Sequence, residues 1–186
     1  MTYWLSEYQE RSRHITDIAH YMPVLFGTAA RYGQCKVIEL GVRDGDSTVA
    51  FLAAAELTGG HVWSVDIDPD CGFTKRDPQP ESHLWTFAGH DSRSTAAQAA
   101  TPDDAHVVLI DSSHDYAQTC TELLIYLDKL RGGGMLLMHD VGHPEYGPPV
   151  RAALDEILPQ FGIDWGWTEY GGENGLGVVP IPLRWH

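Results

Sequence analysis

The chain has 186 residues, of which 43% are hydrophobic, and a formal net charge of −14. That length and apolar fraction suit a single domain with a full core. The acidic balance repels phosphate backbones, and the few basic residues are scattered, so no nucleic acid partner is expected.

Residues 3–32 read as mainly helical. Ile15, Ile18, Ala19, Met22 and Leu25 recur at helical spacing as one core-facing stripe. Pro23 kinks this segment or separates two helices. The segment could cover a sheet face, form a lid, or serve as the surface of a homo-oligomer. A strand follows at 35–41, rich in β-branched residues. Gly41 and Gly45 then allow a tight turn, and a helix runs over 46–58, with Asp46 or Ser47 as its cap. Gly59-Gly60 stops that helix.

A second strand spans 61–67. Pro69, Gly72, Pro78 and Pro80 make 68–82 a long loop, of a kind that is often functional. A third strand at 83–88 precedes a helix at 93–101, and a fourth strand at 106–111 ends on Asp111. A helix over 116–130 is ended by Arg131-Gly132-Gly133-Gly134, which turns into a fifth strand at 135–140. A Gly/Pro/His-rich loop (141–149), an amphipathic helix (150–161) and two late strands (163–169 and 175–181) complete the chain. The last two are joined by a glycine turn and read as an antiparallel pair. Strands alternating with helices imply a mostly parallel sheet covered on both faces.

Cys35, Cys71 and Cys120 are odd in number and far apart, which fits free thiols in a reducing compartment. No signal-peptide pattern and no apolar run of membrane-spanning length are visible. A soluble cytoplasmic protein without a membrane partner is therefore expected.

In such a sheet, ligands bind beyond the C-terminal strand ends. Glu39, Asp66, Asp111 and the pair His139-Asp140 fall at or beside those ends, and Asp91 lies just past the third strand. Charged groups concentrated there imply a shared polar cleft. Strand ends meeting water in an acidic protein is the plainer explanation of any one of them. Asp66 lies 25 positions after Gly41 at the end of the next strand, where a ribose-binding carboxylate belongs. The turn Gly41-Val42-Arg43-Asp44-Gly45 lacks the spacing of a dinucleotide fingerprint and the Lys-Ser/Thr of a phosphate loop. Asp44 and Asp46 would repel a pyrophosphate. An adenosine ligand without phosphates and with a positive sulfonium suits this turn better.

Glu39 to Gly45 resembles motif I of class I S-adenosylmethionine-dependent methyltransferases, and Val65-Asp66-Ile67-Asp68 is similar to their motif II. Leu109 to Tyr116 resembles the Ile-Asp-Gly-x-His-x-Tyr signature of one branch, that of small-molecule O-methyltransferases from sugar and antibiotic pathways and cephalosporin-hydroxylase-like proteins. The run Gly132 to Asp140 and the late Gly175 to Val179 fit the same branch. The resemblance covers roughly 35–181. It implies a Rossmann-like, doubly wound, mostly parallel seven-stranded sheet with an antiparallel C-terminal edge. Residues 1–34 would then be a helical cap or lid on a methyltransferase-like domain of residues 35–186, the whole forming one compact unit.

The resemblance also implies a cofactor site. Glu39, Gly41, Val42, Gly45 and Ser47 would surround the methionine part of S-adenosylmethionine. Asp66 would hold the ribose with Ile67 beside it, Asp91 would lie near the adenine amino group, and Asp111 would border the same site. Arg43 stands where many members have glycine, and Ser112-Ser113 replaces the usual Gly-x before His114. A divalent metal (Mg, Mn or another) is implied through Asp111, His139 and Asp140. The histidine replaces a carboxylate, and imidazole suits metals other than magnesium better. With a metal, the acceptor hydroxyl loses its proton more easily. Without one, His139 or His114 serves as general base. His143 is a weaker candidate.

The expected function is methylation of a small-molecule hydroxyl. A NAD-dependent oxidoreductase on a similar fold and a cofactor-binding protein without catalysis are the alternatives. His139 next to Asp140 also reads as a structural pair. His90 and His106 read as surface or packing residues. Trp165 and Trp167 are expected to pack one face of a late strand. Trp63, Trp85, Tyr116 and Tyr146 could line a substrate pocket or pack the core, and Glu122 and Asp128 read as solvated helix charges. The loops 68–83 and 141–149, with the N-terminal helices, are expected to shape the acceptor pocket.

Overall fold

A computed structural model describes residues 2–183; Met1 and 184–186, the outer ends of the two predicted units, lie outside the described residues. Seven strands form one sheet: β1 (Lys36–Leu40), β2 (His61–Asp66), β3 (Trp85–Gly89), β4 (Ala105–Ile110), β5 (Leu130–His139), β6 (Thr168–Tyr170) and β7 (Leu176–Pro180). Their spatial order is β3-β2-β1-β4-β5-β7-β6, the first five strands being mutually parallel. β7 runs antiparallel to both of its neighbours. The order reverses between β1 and β4, and this switch point opens a crevice at their C-terminal ends.

Side chains alternate across the sheet. Val37, Val107, Leu109 and Leu137 face one hydrophobic layer with α1 (Tyr3–Arg11), α2 (Met22–Ala30) and α3 (Asp46–Thr58). Ile38, Leu40, Val108, Ile110, Leu136 and Met138 face the other, with α5 (Tyr116–Leu127) and α6 (Gly147–Ile157). The short α4 (Thr95–Ala99) adds Ala97 to that second layer. α3 is buried from Ser47 through Ala55, because α1 and α2 cover the side it turns away from the sheet. Its alanines let those helices approach closely. Among the described residues, no helix is long and apolar enough to cross a membrane.

Several local expectations change. Pro23 lies in the first turn of α2 and separates it from α1, across an irregular strap at 12–18. Ile18, Ala19, Met22 and Leu25 are buried, but Ile15 sits on that strap fully exposed, because no helix continues the stripe to it. Neither Asp46 nor Ser47 caps α3. Gly45 is its N-cap at φ 81°, and the Asp46 and Ser47 side chains bond elsewhere. Within the 68–82 loop, Gly72–Lys75 forms a 3-10 turn anchored by buried Phe73. α4 is shorter than its pattern, starting only after Ser94 accepts a hydrogen bond from the Ala97 backbone.

The glycines at 132–134 do not end a helix but run inside β5. Here the C-terminal segment passes so close that a Cβ on Gly132 would meet the Leu183 carbonyl at 2.6 Å. Gly133 N–H donates to the Pro182 carbonyl, and Ile181 N–H to Gly134. β6 is confined to three residues. Trp165 and Trp167 precede it; Trp165 is exposed, while Trp167 lies under the Arg151 guanidinium at 5.1 Å and packs against the second layer beside Gly177 of β7.

Candidate active site

β1 ends at Leu40, and the chain reverses through Gly41 at φ 91°, Arg43 at φ 48° and Gly45 at φ 81°. Gly41 is required here twice over, since its positive φ disfavours a side chain and a Cβ would meet the Asp111 carbonyl at 2.1 Å. Two carboxylates fix the turn. Asp66 Oδ2 accepts from the backbone N–H groups of Val42 at 2.8 Å and Arg43 at 3.2 Å, and Oδ1 accepts from Asp68 N–H. Glu39 lies beneath, wholly buried, with Ser47 (2.6 Å), Thr48 (2.9 Å) and Ser64 (2.6 Å) donating to it. Burial pushes its carboxyl up to about 7 against the opposing pull of those three hydroxyls. Glu39 and Ser47 thus tie β1 to the start of α3, with Ser47 also on the wall of the second cavity.

Two cavities adjoin the turn, and a third shares Thr16 and Asp17 with the second. The first, about 320 Å³, lies over the ends of β1, β2 and β4 between Asp66-Ile67 on one side and Ser112 to His114 on the other, with His90 and Ser92 at its β3 end. Ile67 is largely exposed and offers this space an apolar face. The second, about 140 Å³, is enclosed by the strap residues Thr16 to Ile18 and the turn from Val42 to Ser47. Asp111 borders both. The third, about 450 Å³, lies between His14 to Asp17, His20-Tyr21 and Glu173-Asn174. Of the loops expected to shape a substrate pocket, 68–82 contributes nothing to these walls. The loop after β5 contributes only indirectly, by stacking Tyr146 on His114 at 4.3 Å. Trp63, Trp85 and Tyr116 line none of the three.

Behind the two cavities that Asp111 borders, Asp111, His139 and Asp140 form a buried cluster. His139 Nδ1 lies 3.1 Å from Asp111 Oδ1 and 3.0 Å from Asp140 Oδ2, while Nε2 lies 3.3 Å from the Asp17 carbonyl. Burial works against a charged imidazole, but the two carboxylates outweigh it and push His139 up to about 10. Asp140 is held far below the usual carboxylate range: burial opposes this, and His114 and His139 prevail. Two further side chains close the cluster. Arg43 bridges Asp17 at 2.9 Å and Asp111 at 3.5 Å. His114 Nε2 sits 2.6 Å from Asp140 Oδ2, close but not aligned as a hydrogen bond.

One atom from each of Asp111, His139 and Asp140 lies within 4.8 Å of the others, close enough to share one ion. Two carboxylates and an imidazole suit a divalent cation of intermediate softness. To serve as ligands, they require His139 to lose its Nδ1 proton and Arg43 and His114 to release their carboxylates.

Other predicted residues are placed differently. Asp91 does not line the cavity; Arg93 takes both of its oxygens, and this pairing with the Arg93 backbone N–H holds it down to about 2. Its neighbours His90 and Ser92 face the space instead, His90 as an exposed surface residue. His106 is a packing residue, between the Lys36 backbone N–H and Arg131. Glu122 is wholly buried, not solvated. It shares its helix stripe with buried Thr119, Leu123 and Tyr126, a spacing visible in the sequence.

A family described as "Methyltransferase domain" matches residues 38–141, more than half of the chain. No curated protein matches. Among solved structures, the fold is shared with the MycE methyltransferase of mycinamycin biosynthesis, in complex with Mg and S-adenosylhomocysteine (TM-score 0.66, 16% identity, 99% of this chain and 56% of that one). An O-methyltransferase from Bacillus cereus in complex with S-adenosylhomocysteine (TM-score 0.69, 12% identity) spans 96% of this chain and 88% of its own. The O-methyltransferase TomG from Streptomyces achromogenes, of tomaymycin synthesis and in complex with S-adenosylmethionine (TM-score 0.62, 14% identity), spans 98% and 91%. The chain thus spans little more than half the length of MycE.

Proposed function

The chain belongs to the methyltransferase-domain family, and from that premise we propose that it transfers a methyl group from S-adenosylmethionine to a hydroxyl of a small molecule. The observation that carries the reading is that Arg43 and Asp111 border both of the first two cavities, with the histidine–carboxylate cluster buried behind Asp111. The cofactor supplies an electrophilic methyl on a sulfonium. The first cavity suits its nucleoside, and the second, beside the glycine turn, its amino-acid part. Asp66 retains lone pairs beyond the backbone N–H groups it accepts and can take the ribose hydroxyls. Ile67 covers one face of the base. Residues 1–34 serve as a cap, and the acceptor hydroxyl is received beside Asp111, the residue that borders both of the first two cavities.

Among the candidate bases, His139 is buried and already carries the proton it shares with two carboxylates. His114 lines the first cavity with its ring set by Tyr146 and Asp140, and is the imidazole placed to take a proton from an acceptor hydroxyl. Asp111 and Asp140 stabilise positive charge in the cluster as that proton moves. Holding the acceptor oxygen against the methyl carbon supplies much of the rate. A divalent cation on Asp111, His139 and Asp140 would supply Lewis acidity toward the same hydroxyl.

Calorimetric titration with S-adenosylhomocysteine and, separately, NAD tests the cofactor. Binding of the first alone is expected; binding of NAD alone would make the chain an oxidoreductase candidate and sink the proposal. Methyl transfer to any hydroxylated acceptor then rules out a protein that merely binds the cofactor.

A further inference from the structure

Glu122, in the middle of α5, is completely buried, and its two oxygens are treated unequally. Oε1 accepts from the Ser92 hydroxyl in a short bond, from the Ser112 hydroxyl at 2.6 Å and from Gln118 Nε2 at 3.1 Å. Oε2 is buried with no partner among the described residues. The three donors come from three separate stations: the end of β3, the end of β4 and the first turns of α5. All three line the cavity of about 320 Å³. Tyr126, one turn beyond Glu122, donates to the Ser92 carbonyl at 2.8 Å and holds that residue in place.

A serine hydroxyl has one proton to give. Both serines give theirs to Glu122, so they can present only lone pairs to the cavity. The outcome is the same whether or not Glu122 is ionised. A proton would sit on Oε2, the oxygen without a partner, and Oε1 would go on accepting. The buried carboxyl therefore sets these two hydroxyls as acceptors on the wall that faces Asp66 and Ile67 across the space. Asp91, the acceptor expected from the sequence, is occupied by Arg93.

We propose that Glu122 is a positioning residue that fixes Ser92 and Ser112 as hydrogen-bond acceptors, so that the cavity selects a nucleoside base with an exocyclic amino group over one with a carbonyl in its place. The inference rests on the reading of this cavity as the cofactor's nucleoside site. It concerns discrimination between bases, not the methyl transfer.

The test is equilibrium binding of two probes to the intact protein: S-adenosylhomocysteine, and S-inosylhomocysteine, which carries an oxo group where the first carries an amino group. The wild-type protein is expected to prefer the first by about 10-fold or more, since the oxo group would face lone pairs. E122M frees both hydroxyls to donate and should reduce the preference to about 3-fold or less. E122Q keeps a carbonyl oxygen toward the serines and places its amide nitrogen at the partnerless site, so it should retain the wild-type ratio. A merely structural role for Glu122 would not separate these two variants. Equal binding of both probes by the wild type, or an unchanged ratio in E122M, overturns the inference alone. If thermal unfolding shows that E122M does not fold, S112A decides. Loss of one acceptor should cut the preference about 5-fold, and an unchanged ratio overturns the inference. Failure of the wild type to bind S-adenosylhomocysteine overturns the cofactor reading and this inference with it.

Discussion

Glu39 keeps its carboxyl between β1 and α3 with only hydroxyls for company. Its folded-state value of about 7 lies above the ordinary 4.5, so the folded chain holds this proton more tightly than the unfolded one. The associated stability is present in full below the unfolded value and is lost as pH rises through about 7. Between pH 5 and pH 8 that loss is about 2–3 kcal/mol. Urea unfolding of the wild type and E39Q across this range should show the difference between them shifting by that amount in favour of the variant as pH rises. No shift would mean that Glu39 is ionised in the folded chain throughout. The sequence marks Glu39 as a site residue because it stands beside the glycine turn. Its partners come from Ser64, one strand away, and from the first residues of α3. Glu122 makes the same point in reverse: an isolated acid on a helix reads as solvated until the partners from β3 and β4 are in place.

Among the elements, the strap at 12–18 is the one whose position matters most to the site. Asp46, at the start of α3, accepts from Arg11 at 2.8 Å and Thr16 at 2.9 Å, while Arg11 also reaches the Asp44 carbonyl. Arg43 pairs with Asp17 from the opposite side of the second cavity. These contacts draw the N-terminal segment over the glycine turn. D46A removes the acceptor for two of them and should cost about 1–2 kcal/mol in thermal or urea unfolding. Limited proteolysis within the strap should become faster in D46A; protection equal to that of the wild type would show that Arg43 and Asp17 hold the strap without it. The α3 boundaries and the glycine stop at its end are legible in sequence, because hydrophobic runs and φ-permissive residues act locally. The strap is not, since the stripe that predicts a continuous helix includes Ile15. Only the contacts to Arg11, Thr16 and Asp17 show where the chain leaves the helix.

At the scale of the whole molecule, the excess of negative charge and the acidic strand ends oppose compaction. Raising salt from about 10 mM to about 150 mM shortens the Debye length from about 30 Å to about 8 Å, and the unfolding midpoint should rise by about 2 °C or more. A falling midpoint would mean that the ion pairs of Arg43, Arg11 and Arg151 outweigh the repulsion. The sheet tolerates this charge because the acids meet cations or hydroxyls where they converge. By itself, the sequence determined the order of strands and helices, the mostly parallel sheet with its antiparallel end, and the gathering of Asp66, Asp111, His139 and Asp140 at one edge. Those follow from apolar periodicity, glycine placement and the rule that strand ends meet the crevice, all of which act along the chain. The tertiary structure alone decided what these charged groups do there: His139 shared between two carboxylates, Arg43 laid across Asp17 and Asp111, and Glu122 set behind Ser92 and Ser112. Burial and partnership fix the protonation and hydrogen-bonding role of such groups, and both are supplied by residues distant in sequence that only the fold brings together.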